Sequence, residues 1–159
     1  AYEIPLRLVG SEMCIRDSKK IQQYLHKKKS FYTSLIVRYS ETDAMSYSHH
    51  SNYLKYYEVG RLDWLKKIGF SYFEMEKNNI ILPVVETKTV FRKPAFFEDK
   101  LKIKTTLLNP PSYSLEFQYE IFKNKILINE GYTKLIFLNK KNNKPIRCPK
   151  NILDAIGNF

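Results

Sequence analysis

Residues 51–70 read SNYLKYYEVGRLDWLKKIGF, and within them Tyr53, Tyr57, Gly60 and Trp64, with Leu54, Leu65 and Ile68 alongside, make an apolar stripe at helical spacing. Ser51 or Asn52 is placed to cap the N-terminus, Lys66 and Lys67 suit the last turn, and Gly69 can end the helix. Gly60, a poor helix former, predicts that another backbone passes close to it. On the N-terminal side, Phe31 to Tyr39 is rich in β-branched and aromatic residues and predicts a strand. On the C-terminal side, Ser71 to Lys77 predicts a short second helix. From Ile80 the period becomes two. Leu101, Ile103, Thr105 and Leu107 alternate with Lys100, Lys102, Lys104 and Thr106, and Tyr113, Leu115, Phe117, Tyr119 and Ile121 alternate with polar partners. With turns at Asn109-Pro110-Pro111 and Lys123-Asn124-Lys125, the strands from Val84 to Leu138 are expected to form an antiparallel meander. Pro149 to Ile156 predicts a short terminal helix. The expected fold class is α+β: one domain in which an antiparallel sheet of about five strands wraps one long central helix.

The composition agrees with a single compact domain. The chain has 159 residues, 43% of them hydrophobic and 14% aromatic, with 27 Lys+Arg against 16 Asp+Glu. No apolar run approaches the roughly 20 residues of a membrane helix. The opening AYEIPLRLVGSEMCIRDS lacks the apolar core of a signal peptide. Reverse translation of Leu8 to Ser18 gives a transposase-type sequencing adapter in one frame, and Ala1 to Ile4 match the adapter's outer arm. Residues 1–18 are therefore expected to be a translated adapter scar, residues 19–30 a basic N-terminal arm, and residues 31–157 the folded domain. Without the scar, loss of Arg7 and Arg16 against Glu3, Glu12 and Asp17 raises the net charge from +11 by one. Cys148 is then the sole thiol, so disulfide and metal-thiolate chemistry have almost nothing to work with.

A positive charge of this size raises nucleic acid as a partner. Beyond the scar only Arg38, Arg61, Arg92 and Arg147 are Arg, the other basic residues being Lys amid abundant Asn, Ile, Tyr and Phe. A/T-rich codons explain that pattern without a nucleic-acid partner, leaving a positive surface suited to an anionic small molecule. The chemistry-bearing segment is the strand-to-helix junction, Tyr39 to Tyr53, which places Asp43, His49, His50 and several hydroxyls before a helix N-terminus. Free backbone N–H groups there favour developing negative charge. From residue types alone, the favoured reading is that Asp43 and Ser40 stabilise a turn, His49 and His50 sit half exposed and Asn52 is a cap. No HxxxH, CxxC, GxSxG or phosphate-cradling glycine loop is present.

The run Val37-Arg-Tyr-Ser-Glu-Thr-Asp43-Ala-Met, followed by His50-Ser-Asn52-Tyr53-Leu-Lys-Tyr-Tyr-Glu58-Val-Gly-Arg61, resembles the opening of the 4-hydroxybenzoyl-CoA thioesterase family, hotdog-fold enzymes that include the YbgC-like acyl-CoA thioesterases. A second block resembles it too: Pro83-Val84-Val85, then Phe91-Arg92-Lys93-Pro94-Ala and Glu98-Asp99-Lys-Leu101. The resemblance implies a hotdog domain, pairing into dimers or tetramers with the site at the subunit interface, and cytoplasmic hydrolysis of an acyl-CoA to free acid and CoA without cofactor or metal. It implies that Asp43 is nucleophile or general base and that the backbone N–H of His50 polarises the carbonyl. Tyr53, Glu58, Val84, Val85, Arg92 and Lys93 are the expected substrate-binding residues. An acyl-carrier-protein thioesterase and a non-catalytic acyl-CoA-binding hotdog module are the alternatives. Two departures stand out. Ser46 occupies a loop position where the family generally has Gly, and the turn Leu108 to Tyr113 lacks a basic residue for the coenzyme A phosphates.

Overall fold

A computed structural model describes residues 29–157. The adapter reading of residues 1–18 and nearly all of the expected basic arm fall outside them. In chain order the elements are β1 (Ser30–Ile36), a 3-10 turn (Tyr39–Glu41), α1 (Asn52–Lys67), α2 (Tyr72–Lys77), β2 (Ile80–Ile81), β3 (Val84–Phe91), β4 (Lys100–Leu107), β5 (Ser114–Lys123), β6 (Ile126–Ile136), β7 (Leu138–Asn139), β8 (Lys144–Pro145) and α3 (Lys150–Gly157).

Five strands form one antiparallel sheet in the order β1-β4-β5-β6-β3, and α1 packs on β1, β4 and β5. The apolar alternation decides which face the helix covers. Leu101, Ile103 and Leu107 of β4 and Leu115, Phe117, Tyr119 and Ile121 of β5 are all buried against Tyr53, Tyr57, Trp64 and Leu65 of α1. Burial of each such large side chain contributes on the order of 1.5–3 kcal/mol. Trp64 meets Phe117 edge-on at 5.2 Å between centroids.

The expected meander is only partly realised. β4, β5 and β6 are consecutive neighbours, but β3 lies at the far edge beside β6, with Phe91 opposite Asn129 and Val84 opposite Leu135. The edge of β4 that β3 would have used is taken by β1, where Leu35 pairs with Leu101 and Ser30 with Thr106. Strand periodicity reports faces and is silent about partners. β1 also ends earlier than expected, because Val37 turns out to exchange hydrogen bonds with Glu98 and Asp99. Tyr113 precedes β5 and is half exposed. A small sheet, β2-β7-β8, was not anticipated, since two-residue strands carry no period.

Two glycines make close packing possible. A Cβ on Gly60 would lie 2.6 Å from Thr105 Oγ1 and 3.2 Å from Ile103 Cγ2, so the neighbours that crowd it are β4 side chains and not, as expected, a passing backbone. A Cβ on Gly131 would lie 2.1 Å from Cζ of Tyr57. The β5–β6 turn is a two-residue hairpin with Asn124 and Lys125 at φ of 47° and 67°, the signs a type I′ turn demands. No described helix is long and apolar enough to cross a membrane.

Candidate active site

The segment between β1 and α1 is organised by a carboxylate that pattern reading passed over. Glu41 is 5% exposed. Its Oε2 accepts from the Arg38 backbone N–H at 2.9 Å and from the Tyr56 hydroxyl at 2.9 Å, while Oε1 accepts from Arg38 Nε and Nη2 at 3.0 and 2.7 Å. Tyr56 in turn shares a 2.9 Å hydrogen bond with Ser48. The Glu41 carbonyl oxygen accepts from the His49 N–H at 2.8 Å and from Asn52 Nδ2 at 2.7 Å. Asn52 is therefore a tie between helix start and loop instead of a cap, and Ser51, the N-cap residue, makes no side-chain capping bond. The available signal was an acid three residues after Arg38 with a helical Tyr facing it.

Burial opposes the Glu41 charge, but the Arg38 backbone N–H, the Arg38 guanidinium and the Tyr56 hydroxyl together outweigh it and hold the carboxyl below the usual range. A depressed folded-state pKa contributes stability that is present above the unfolded value of about 4.3 and is lost as pH falls through the lower folded value. Glu41→Gln should thus cost on the order of 2 kcal/mol near neutrality. The difference from wild type should shrink as pH falls below about 4. Urea unfolding across pH checks this; a constant difference at all pH values would refute it.

Asp43 sits at the mouth of the loop. Its N–H donates to Tyr47 O at 2.9 Å, its carbonyl accepts from the Ser46 N–H at 2.9 Å, and its Oδ1 accepts from the Met45 N–H at 2.8 Å. Oδ2 has no partner among the described residues. Ser46 keeps the left-handed conformation that favours glycine, at φ 64°, and the loop stores about 1 kcal/mol of strain there. The His50 ring is exposed and lies 4.0 Å from that of His49. Its carbonyl accepts from the Tyr53 N–H at 3.3 Å. The His50 N–H has no partner among the described residues, and it lies where α1 begins.

Asp43, His50, Tyr53, Phe91, Arg92 and Lys93 line one cavity of about 300 Å³. The Tyr53 ring meets Phe91 edge-on at 5.0 Å, and burial pushes the Tyr53 hydroxyl pKa up. Arg92 pairs with Glu130, and the Arg92 and Lys93 N–H groups both donate to Ile128 O, at 2.9 and 3.1 Å. Three expected binding residues are elsewhere. Glu58 and Val84 line a second cavity of about 230 Å³ with Leu54 and Arg61, the last pairing with Glu58 at 2.9 Å. Val85 lines neither and is half exposed.

The first cavity thus combines a carboxylate with one oxygen open, an N–H at a helix start, aromatic walls and two cations. That set suits attack on an acyl carbonyl whose oxygen gains charge, in a molecule with an anionic tail. Cys148 is no competing nucleophile, since burial pushes its pKa up to about 12. No group of His, Cys, Asp and Glu among the described residues could hold a metal ion.

Residues 37–156 match the model of the thioesterase-like superfamily. The chain is 31% identical to YneP of Bacillus subtilis (strain 168) over 119 residues, which is 74% of this chain and 86% of that one. It is 22% identical to the acyl-CoA thioesterase YbgC of Haemophilus influenzae over 120 residues, 75% of this chain and 88% of YbgC. Among solved structures it resembles a DHNA-CoA thioesterase from Staphylococcus aureus, with 39% identity, a TM-score of 0.72 and coverage of 74% of this chain and 80% of that one.

Proposed function

Because the chain belongs to the thioesterase-like superfamily, we propose that the Asp43 cavity is where it hydrolyses an acyl-CoA thioester to the acid and free CoA. The chain is a hotdog-fold thioester hydrolase of the acyl-CoA class. The observation that carries the assignment of the site is the convergence of Asp43 and His50, seven residues apart along a backbone-tied loop and helix start, on one cavity.

In the reaction the thioester carbonyl sits between the Asp43 carboxylate and the His50 N–H. Asp43 either attacks the carbonyl carbon, forming an anhydride as the C–S bond breaks, or takes a proton from a water that does so. The leaving thiolate carries off the electron pair of the C–S bond and is protonated to CoA thiol. In the anhydride route, water then returns the carboxylate and releases the acid. Charge on the carbonyl oxygen is met by the His50 N–H and the positive end of α1. Arg92 and Lys93 face the anionic coenzyme, and Tyr53 and Phe91 flank the acyl portion. No cofactor enters this scheme.

The protein works as a homo-oligomer in a cytoplasmic setting. β3 pairs with β6 along one edge only, and Val84, Val85, Val90 and Phe91 on it are 42–53% exposed. Open apolar edges of this length are covered in soluble proteins. Antiparallel pairing of two β3 strands about their midpoints sets Val84 of the partner subunit across from Phe91. Such pairing would bring the β3 end that lines the second cavity beside the partner's β3 end that leads into the first. Light scattering at micromolar concentration should report a dimer or tetramer, and Val90→Lys should shift it toward monomer with loss of activity. A stable, active wild-type monomer would refute a shared site.

Thiol release from short, long and aromatic acyl-CoAs, with an acyl-carrier-protein thioester alongside, tests the activity. Faster release from the CoA esters supports the reading, and faster release from the carrier protein reassigns the substrate. Binding without hydrolysis of any thioester overturns catalysis and leaves a binding module.

A further inference from the structure

Tyr57 lies one helical turn after Tyr53 on α1 and stacks on Tyr119, with ring centroids 4.5 Å apart and planes 15° from parallel. Its hydroxyl donates to Oδ1 of Asn129, a fully buried residue of β6. Nδ2 of Asn129 donates to Thr89 Oγ1 and to Val90 O, each at 3.0 Å. The Thr89 hydroxyl, 2.7 Å from the Tyr57 oxygen, closes the circle by donating to it. The Tyr57 hydroxyl also reaches Glu130 O at 3.3 Å, and with the Thr89 hydroxyl and both amide protons engaged the ring has one consistent direction of donation. Such a closed, partly buried network is more rigid than isolated pairs.

The ring grips β3 just before the cavity wall. Val90 precedes Phe91, Arg92 and Lys93, and Ile128, beside Asn129, accepts the Arg92 and Lys93 N–H groups. That carbonyl is available because the β5–β6 register slips at this point. Ile121 pairs with Asn129 and Phe122 with Leu127, which leaves Ile128 as the extra residue of a bulge. The opposite side of the cavity is held by other groups, Glu41, Ser48, Asn52 and Tyr56, none of which belongs to the ring.

We propose that Tyr57 and Asn129 are positioning residues that set the Phe91–Lys93 wall of the cavity and thereby govern substrate binding separately from the chemical step at Asp43. The inference deepens the thioesterase reading and rests on it for its kinetic consequence. Arg92 and Lys93 meet the substrate through parts that do not react, so their misplacement weakens ground state and transition state alike and appears in KM.

Tyr57→Phe keeps the stacked ring and removes only the hydroxyl, and Thr89→Val removes the other hydroxyl at nearly constant shape. In the full-length protein either should raise KM for the preferred acyl-CoA about tenfold while kcat stays within about twofold of wild type, the scale of one buried polar group left unpaired. Hydrogen–deuterium exchange read by mass spectrometry should quicken in peptides covering residues 88–94 and stay unchanged in those covering 40–50. A lower melting temperature with KM and exchange as in wild type would reduce the ring to a purely structural role and overturn the proposal. So would a fall in kcat at constant KM. If wild type hydrolyses no thioester, the thioesterase reading fails, and the exchange comparison alone decides whether the ring sets the wall.

Discussion

In Asp43→Asn, turnover of an acyl-CoA should fall by about two orders of magnitude or more, the loss expected for a positioned acid–base group or nucleophile. Melting temperature and oligomeric state should match wild type. The geometry explains why the change is clean. Asn retains Oδ1 and can still accept the Met45 N–H that holds the side chain in the loop. What it lacks is the second carboxylate oxygen, Oδ2, the atom with no partner among the described residues. His50→Ala should be far milder, because the ring is exposed and Ala keeps the backbone N–H. Equal rates for wild type and Asp43→Asn would remove Asp43 from the mechanism, whatever His50→Ala did.

Gly131→Ala should be the most destabilising single-methyl change in the domain, costing about 3 kcal/mol through overpacking and loss of the Tyr57 hydrogen bonds together. That corresponds to a drop of roughly 10 °C in melting temperature for a chain of this size. The added Cβ would lie 2.1 Å from Cζ of Tyr57 and 2.4 Å from its hydroxyl oxygen. Tyr57 cannot move aside without breaking its stack on Tyr119 and surrendering Asn129, which is fully buried. Calorimetry on Gly131→Ala, Tyr57→Ala and the double variant gives the check. The double variant should cost clearly less than the two singles added, since both act on the same contact. A wild-type melting temperature for Gly131→Ala would show that Tyr57 is not held as described.

The helix and the sheet faces were legible because burial writes a period into the sequence: Tyr53, Tyr57, Trp64 and Leu65 on α1, and Leu115 to Ile121 on β5, face the core as their spacing predicts. Partner choice writes no such mark. Nothing local in Val84 to Phe91 distinguishes a neighbour of β4 from a neighbour of β6, and the strand's position at the edge depends on β1 having occupied β4 first. Asp43, His50, Tyr53, Arg92 and Lys93, expected from motif resemblance, line one cavity. Glu58, Val84 and Val85 do not, and a shared subunit interface is the arrangement that would reunite them. Asn129 was missed because its partner Thr89 comes from far along the chain, whereas Glu41 carried a local signal in Arg38, three residues before it, to which the fold adds Tyr56. Ser46, which stands where the family generally has Gly, sits at φ 64° in the left-handed region that favours glycine.

The strand order also fixes a sequence in time. β4, β5 and β6 join neighbours through short turns, one of them the Asn124–Lys125 hairpin, and can close early at small entropic cost. β1 must find β4 across a separation of 76 residues, as between Ser30 and Thr106, and β3 must find β6 from beyond two intervening strands. Those two strands flank the proposed site: β1 leads towards the Asp43 loop, and Arg92 and Lys93 directly follow β3. Sequence separation therefore predicts that β4, β5 and β6 pair before the edges that flank the proposed cavity are in place. On that order, substitutions in the central hairpins should mainly slow folding, whereas substitutions at the edge strands should mainly speed unfolding.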